Sequence, residues 1–334
     1  MHATLDGDLV RADSQARERL YDSRGYGRPV DAGDLALAPV EAAHLLYRGD
    51  LDGVDGQDFA AFLASAAVSE VAFFVYKDLR DRGFYPSPAR EGWVDDPEGI
   101  DFVVHPRGDG PWDGTVAHRV RVVSEREGVP ASALGDCVLA VVDEESEVTY
   151  LATEDSEPSG ATEYDLPPVE GDLLADRVLC WEPPTELYGQ AFYGKQLDDE
   201  DGAVQLSLVE AAYLARRDLL SVAGGAAALI ERGREVEGER FERRLRVYAT
   251  LRERGIVPKT GFKFGADFRT YAAVESADEL GHSEHLVRVL PADHTFGPRN
   301  LALDVRLAHG VRKTMRFALV GESIRWLAVE RLTP

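Results

Sequence analysis

The chain has 334 residues, 44% of them hydrophobic and 9% aromatic, enough to bury a core in about two domains or more. Its formal charge of −23, from 37 basic and 60 acidic side chains, excludes long-range attraction to nucleic acid except through a local basic site, and matches the acidic coat of a protein adapted to high salt. Two cysteines, Cys137 and Cys180, exclude a disulfide framework or a CxxC zinc site; no apolar run approaches the ~18 residues of a membrane span, and MHATLDGDLV is too acidic for a signal peptide, so a cytoplasmic protein with two small buried cysteines is expected.

In chain order, short strands lead through LYDSRGYG (20–27) to a helix beginning near VEAAHLL (40–46). The dense apolar pattern of DFAAFLASAAVSEVAFFVYKDLRDRG (58–83) predicts a longer helix that stops at Gly83. Strands follow at DFVVH (101–105), HRVRVV (118–123) and CVLAVV (137–142), and VVDEESEVTY places Asp143, Glu144 and Glu145 in a turn between two strands. Residues 153–172, rich in acid, Pro, Ser and Gly without apolar periodicity, read as an exposed linker. The pattern then restarts with LYGQAFYG (187–194) and VEAAYLA (209–215), a helix in ERFERRLRVYATLRERG (239–255) stopping at Gly255, and strands at DFRTY (267–271), HLVRVL (285–290) and MRFALV (315–320). In LDVRLAHGVRK, Leu303, Leu307 and Val311 recur every fourth residue, which predicts a helix that buries them with Arg306 on another face.

The restart is a duplication. FFVYKDLRDRGFYPS (73–87) matches LRVYATLRERGIVPK (245–259), and every pair above keeps its order at offsets between 166 and 178, close to half the chain. The expected fold is a mixed α+β and α/β tandem, each repeat a small α+β N-terminal domain followed by an α/β nuclease-like domain with a mixed central sheet. The boundaries fall at 1–70, 71–152, a linker 153–172, 173–238 and 239–334.

Where the repeats disagree, chemistry is legible. Tyr271 faces His105, Lys313 faces Gly135, and His282 falls opposite Thr115, so three reactive polar residues exist in the second half only. A histidine exchanges protons near neutral pH, a lysine offsets developing negative charge, and a tyrosine acts as a base when a nearby cation lowers its pKa from about 10. Together they suit cleavage of RNA by its own 2′-hydroxyl, which needs a base, an acid and a cation but neither a metal nor an enzyme nucleophile.

These residues carry a resemblance. KTGFKFGADFRTY (259–271), HSEHLV from His282 and RLAHGVRKTMRFALV from Arg306 resemble the archaeal tRNA-splicing endonucleases in their duplicated-subunit, homodimeric form, with 11 residues from Tyr271 to His282 and 31 from His282 to Lys313. The resemblance implies metal-independent, lyase-type cleavage of precursor tRNA at bulge-helix-bulge junctions, leaving 2′,3′-cyclic phosphate and 5′-hydroxyl ends. Tyr271 would be the general base, His282 the general acid and Lys313 the transition-state stabiliser, with no cofactor and no metal. One active repeat per chain implies a homodimer. The family sandwiches a bulged base between two arginines, for which Arg306 and either Arg325 or Arg331 are candidates. Asp143, Glu144 and Glu145 are either a solvated hairpin or, as the resemblance implies, a loop that docks in a basic pocket of the other subunit's active repeat.

In KTGFKFGADFRTY itself, Gly261 and Gly265 are expected to let the backbone turn and approach a ligand, the aromatics to pack the loop, and Lys259, Lys263 and Arg269 to face the scissile phosphate. His285 matches His118 of the other half and so tracks structure, and His309 has no counterpart. Two other functions stay open: a metal-dependent nuclease using Asp267 and Glu275, although Asp267 recurs as Asp101, and a non-catalytic RNA-binding or scaffold subunit.

Overall fold

A computed structural model describes residues 1–30, 33–197, 202–277 and 280–334. The chain forms two compact units, one of residues 1–154, 295–302 and 331–334, the other of residues 155–294 and 303–330.

Each unit repeats the same plan. In the first, a five-stranded sheet in the order Arg28–Pro29, Leu35–Leu37, Leu9–Ala12, His2–Asp6, Gly53–Val54 is followed by a second sheet in the order Tyr85–Pro88, Phe102–His105, His118–Ser124, Val138–Val142, Val148–Asp155. In the second unit, Lys195–Gln196, Val204–Ser207, Arg177–Cys180 and Asp172–Leu173 reproduce the first four places, and Val169–Glu170 pairs with Leu220–Ser221 as His2–Asp6 does with Gly53–Val54. Its second sheet runs Val257–Thr260, Phe268–Tyr271, His285–Pro291, Thr314–Val320, Ile324–Leu332. Both second sheets are mixed in the same way, with a single parallel pairing between the third and fourth strands. The fold class and the duplication are as the sequence indicates.

The helices over these sheets end where predicted. Glu70–Asp81 and Glu239–Glu253 are followed by Gly83 and Gly255 in left-handed conformation, φ 88° and 71°. The next amide in each case, Phe84 or Ile256, donates back to Leu79 or Leu251 at 3.0 Å, the hydrogen-bond pattern that lets glycine close a helix. Tyr76, Leu79 and Phe102 share the core of the first unit; Phe241, Tyr248, Leu251, Phe268 and Trp326 share that of the second. Cys137 and Cys180 are buried as expected.

Three expectations are corrected. The apolar run 58–83 is two helices, Phe59–Leu63 and Glu70–Asp81, because Ser65 bonds back to Phe62 and Ser69 caps a new start through the amide of Ala72. The helix around Arg306 exists, as Pro298–Gly310, but Leu301, Val305 and Ala308 are its buried residues, while Leu303 (52% exposed), Leu307 and Val311 face outward. The acidic segment 153–172 is not a free linker. It is strapped to the second unit: Gly160, Ala161 and Thr162 amides donate to the carbonyls of Arg254, Ala272 and Gly255, and Thr162 and Leu166 are buried.

Candidate active site

The sheet of the second unit brings the three singled-out residues to one end. Phe268–Tyr271 runs antiparallel to His285–Pro291, with Thr270 opposite His285, and Thr314–Val320 runs parallel to it, with Thr314 opposite His285. Tyr271, the last residue of its strand, therefore lies one residue beyond that row, Lys313 one residue before it and His282 three residues before it, all at the same end of the sheet.

Glu284 binds these segments together. Its amide donates to the carbonyl of Thr270 at 3.1 Å, its carbonyl accepts from Thr314 at 3.1 Å, and its carboxylate accepts from the amide of Ala272 at 3.0 Å. Lys313 closes the loop by donating from Nζ to the carbonyl of Ser283, next to His282. His282 is exposed, whereas the Tyr271 ring is 6% exposed and packs edge-on against Phe192 at 5.8 Å. Burial holds the Lys313 ammonium below the usual lysine range, and the guanidinium of Arg269 pushes it the same way, against the opposing pull of Glu284. Sequence reasoning missed Glu284, whose role runs largely through its backbone and so leaves no compositional signal.

The first unit has the same end without the chemistry. His105 pairs with Tyr85 as Tyr271 pairs with Val257, so the alignment of Tyr271 with His105 holds in the sheet. The His105 imidazole is held between Ser87 Oγ at 3.0 Å and the carbonyl of Thr115 at 2.7 Å, a structural use of the ring. The pKa of His285 is lowered to about 4 by burial and by Arg316, and that of its counterpart His118 is also lowered by burial.

The loop before Tyr271 differs from its sequence reading. Gly261 makes its close approach to its own chain, since a Cβ there would meet Ala266 O at 2.8 Å, and Gly265 turns at φ 69°. Phe262 is not packed but 86% exposed. Lys259 turns inward, donating to the carbonyls of Phe192 and Gly194 and lying 3.4 Å from Glu210, so it anchors the loop and does not face a substrate phosphate. Lys263 and Arg269 line an adjacent cleft of about 720 Å³ together with Arg244, Lys259, Tyr188 and Phe264.

The remaining candidates are scattered. Arg306 is exposed on its helix; Arg325 pairs with Asp155 through two contacts of 3.0 and 2.8 Å; Arg331 is exposed and belongs to the first unit. Asp143 holds the tight turn itself, accepting from the amides of Glu145 and Glu147 at 2.9 Å, which leaves Glu144 and Glu145 projecting, Glu144 beside Arg126 at 2.5 Å. Asp267, the rival metal ligand, is buried and occupied by Arg240 at 2.6 Å, Arg244 at 3.1 Å and the amide of Val289 at 2.8 Å. Asp101 accepts from Val122 in the equivalent way, so the carboxylate belongs to the repeat's architecture. Among the described residues no helix is long and apolar enough to cross a membrane.

The chain is similar to known proteins over its whole length. The family model of the tRNA intron endonuclease catalytic C-terminal domain matches residues 241–326, and that of the family's N-terminal domain matches residues 1–64 and again 169–231. Proteins called tRNA-splicing endonuclease from Haloarcula marismortui and Natronomonas pharaonis are 70% and 66% identical to this chain, with both partners covered in full. One of the same name from Methanosarcina mazei is 39% identical over 98% of each chain. The chain belongs to the tRNA intron endonuclease family of enzymes, with the family's N-terminal domain present twice.

Proposed function

We propose that the protein excises introns from precursor tRNA by metal-independent cleavage at bulge-helix-bulge junctions, using Tyr271, His282 and Lys313. The observation that carries this reading is the convergence of the three segments at one sheet end, tied through Glu284 and the Lys313 bond to Ser283. The Tyr271 phenolic oxygen takes the proton of the 2′-hydroxyl, whose oxygen attacks the adjacent phosphorus. The bond to the 5′-oxygen breaks, His282 gives that oxygen a proton, and the Lys313 ammonium offsets the charge on the phosphoryl oxygens between them. The products are a 2′,3′-cyclic phosphate and a 5′-hydroxyl. Arg306 is the arginine assigned to a bulged base, with Arg325 or Arg331 as the second. Lys263 supplies positive charge near the RNA.

Two cuts per intron require two such sites, and a chain with one active repeat supplies them as a homodimer. In that dimer Glu144 and Glu145, on the turn held by Asp143, enter the basic cleft of the other copy lined by Arg244, Lys263 and Arg269. The test is a labelled bulge-helix-bulge RNA in high salt with EDTA, comparing wild type with His282→Ala. Cleavage at both bulges with cyclic phosphate ends, reduced about 10²- to 10⁴-fold in the variant, supports the reading. Dependence on a divalent metal, or a variant as fast as wild type, overturns it.

A further inference from the structure

The first unit carries a groove where its sister repeat places a long helix. In the second unit the helix Gly225–Glu237 lies against Glu239–Glu253, close enough that a Cβ on Gly233 would meet the Phe241 ring at 2.3 Å. In the first unit its place is taken by the five-residue helix Phe59–Leu63. What the long helix would cover is left as a groove of about 680 Å³, floored by Phe59, Phe73 and Phe74 with Tyr47, half exposed, at its side. The rings form a connected set, Tyr47 to Phe59 at 5.4 Å and Phe59 to Phe73 at 5.3 Å. One wall of this groove is Ser146, Glu147 and Val148, the continuation of the acidic turn.

On the second unit, the basic cleft is bordered by the turn Phe262–Phe264, whose Lys263 and Phe264 line it and whose Phe262 stands out into solvent at 86% exposure. An exposed aromatic side chain joined to the border of a charged cleft is of the kind in which protein interfaces are enriched. We infer that the aromatic groove of one copy receives Phe262 of a second copy, so that the acidic turn seats in the basic cleft while the tip of the cleft's border fills the groove beside that turn. This rests on the docked-turn reading above. The occupant is fixed by charge and adjacency: the groove shares a wall with a turn bearing Glu144 and Glu145, and the exposed phenylalanine adjoins the cleft of opposite charge. An aromatic anchor in an aromatic groove, bordered by ion pairs, has the anatomy of an interface hot spot.

Two engineered cysteine pairs in the full chain separate the groove from the docking it rests on, with the native Cys137 and Cys180 buried. Glu145→Cys with Lys263→Cys reports the seated turn; Tyr47→Cys with Phe262→Cys reports the filled groove. Under mild oxidation in high salt both pairs are expected to give disulfide-linked dimers, and Phe262→Ala is expected to raise the dimer dissociation constant about tenfold or more by sedimentation. Cross-linking of the first pair without the second overturns the groove assignment and leaves the docked turn standing. Failure of both pairs, or a chain that stays monomeric, overturns both.

Discussion

The ammonium of Lys259 is buried 3.4 Å from the buried carboxylate of Glu210, and the first repeat has Ser87 at the register position of Lys259 and Glu41 at the aligned position of Glu210. Both glutamates bond a glycine amide, Gly194 at 2.9 Å or Gly27 at 2.8 Å, and the amide that opens their own helix, so the lysine is what distinguishes the sites. Burial alone would raise Glu210, but Lys259 and the donors around it outweigh burial and hold it below the ordinary glutamate range. Lys259→Met removes the cation and leaves a buried carboxylate uncompensated, a change that costs roughly 3–5 kcal/mol. Thermal unfolding should show the loss, and Glu210→Gln added to it should restore part; additive losses in a double-mutant cycle would refute the coupling.

Much of this was legible in the sequence for a physical reason. Helix stops at Gly83 and Gly255 are local backbone events, and duplicated strands expose one another through alignment, so the order of elements followed from the chain alone while their pairing did not. Comparing the repeats also singled out Tyr271, His282 and Lys313 as residues that only the second repeat carries, and the sheet brings their segments to one end. What failed depended on choices that composition cannot make. Leu303, Leu307 and Val311 share helical spacing with Leu301, Val305 and Ala308, and only the surrounding fold decides which stripe is buried. The acidic composition of 153–172 suggested solvation, but its amides find carbonyls along the second unit. Lys259 and Lys263 look equivalent in the motif; the first lies within a strand and turns inward, the second lies in the exposed turn.

Arg269 joins the cleft to the proposed reaction site. It lines the cleft, its guanidinium lies 5.7 Å from the centre of the Tyr271 ring, and after burial it is the largest influence lowering Lys313. Replacing it with glutamine removes that repulsion, so the lysine holds its proton to higher pH. On the proposed mechanism, loss of the Lys313 proton ends stabilisation of the phosphoryl oxygens, so the alkaline limb of single-turnover cleavage should move upward in Arg269→Gln. A limb that stays in place would separate Arg269 from Lys313.

Glu41 gives the first unit a pH dependence of its own. Burial raises it to about 7, beyond what the Gly27 and Ala38 amides and Arg80 offset. The folded state then holds a proton that the unfolded chain, near 4.5, has released, so this contribution is full below the unfolded value and is lost as pH rises through about 7. A shift of this size corresponds to at most about 3 kcal/mol. His44 acts oppositely: burial lowers it to about 4, so its contribution is present above about 6.5 and lost as pH falls. Glu41→Gln removes the titration but keeps only one of the two acceptor oxygens that Gly27 and Ala38 use, so its melting temperature relative to wild type should be higher at pH 8 than at pH 4.5. Equal differences at the two pH values would remove Glu41 as the source.

The strap beside Tyr271 makes a prediction about rate that its acidic composition would not suggest. Ala161 donates to the carbonyl of Ala272 at 2.7 Å, Thr162 donates to Gly255 at 2.9 Å, and the buried Thr162 hydroxyl accepts from the amide of Val274 at 2.9 Å. The chain on the far side of Tyr271 is thus held from the strap, while Glu284 holds it from within the sheet. Thr162→Val keeps the shape but leaves the Val274 amide buried and unpaired, at a cost of about 1–3 kcal/mol. Because the unpaired amide lies three residues from Tyr271, the loss should also lower the rate of the cleavage step about tenfold, as small misplacements of a reacting group do, with little change in RNA affinity. Thr162→Ser keeps the acceptor and should restore the rate. A slow Thr162→Ser with wild-type stability, or a Thr162→Val that loses stability but cleaves at the wild-type rate, would show that the strap supports the fold without placing the tyrosine.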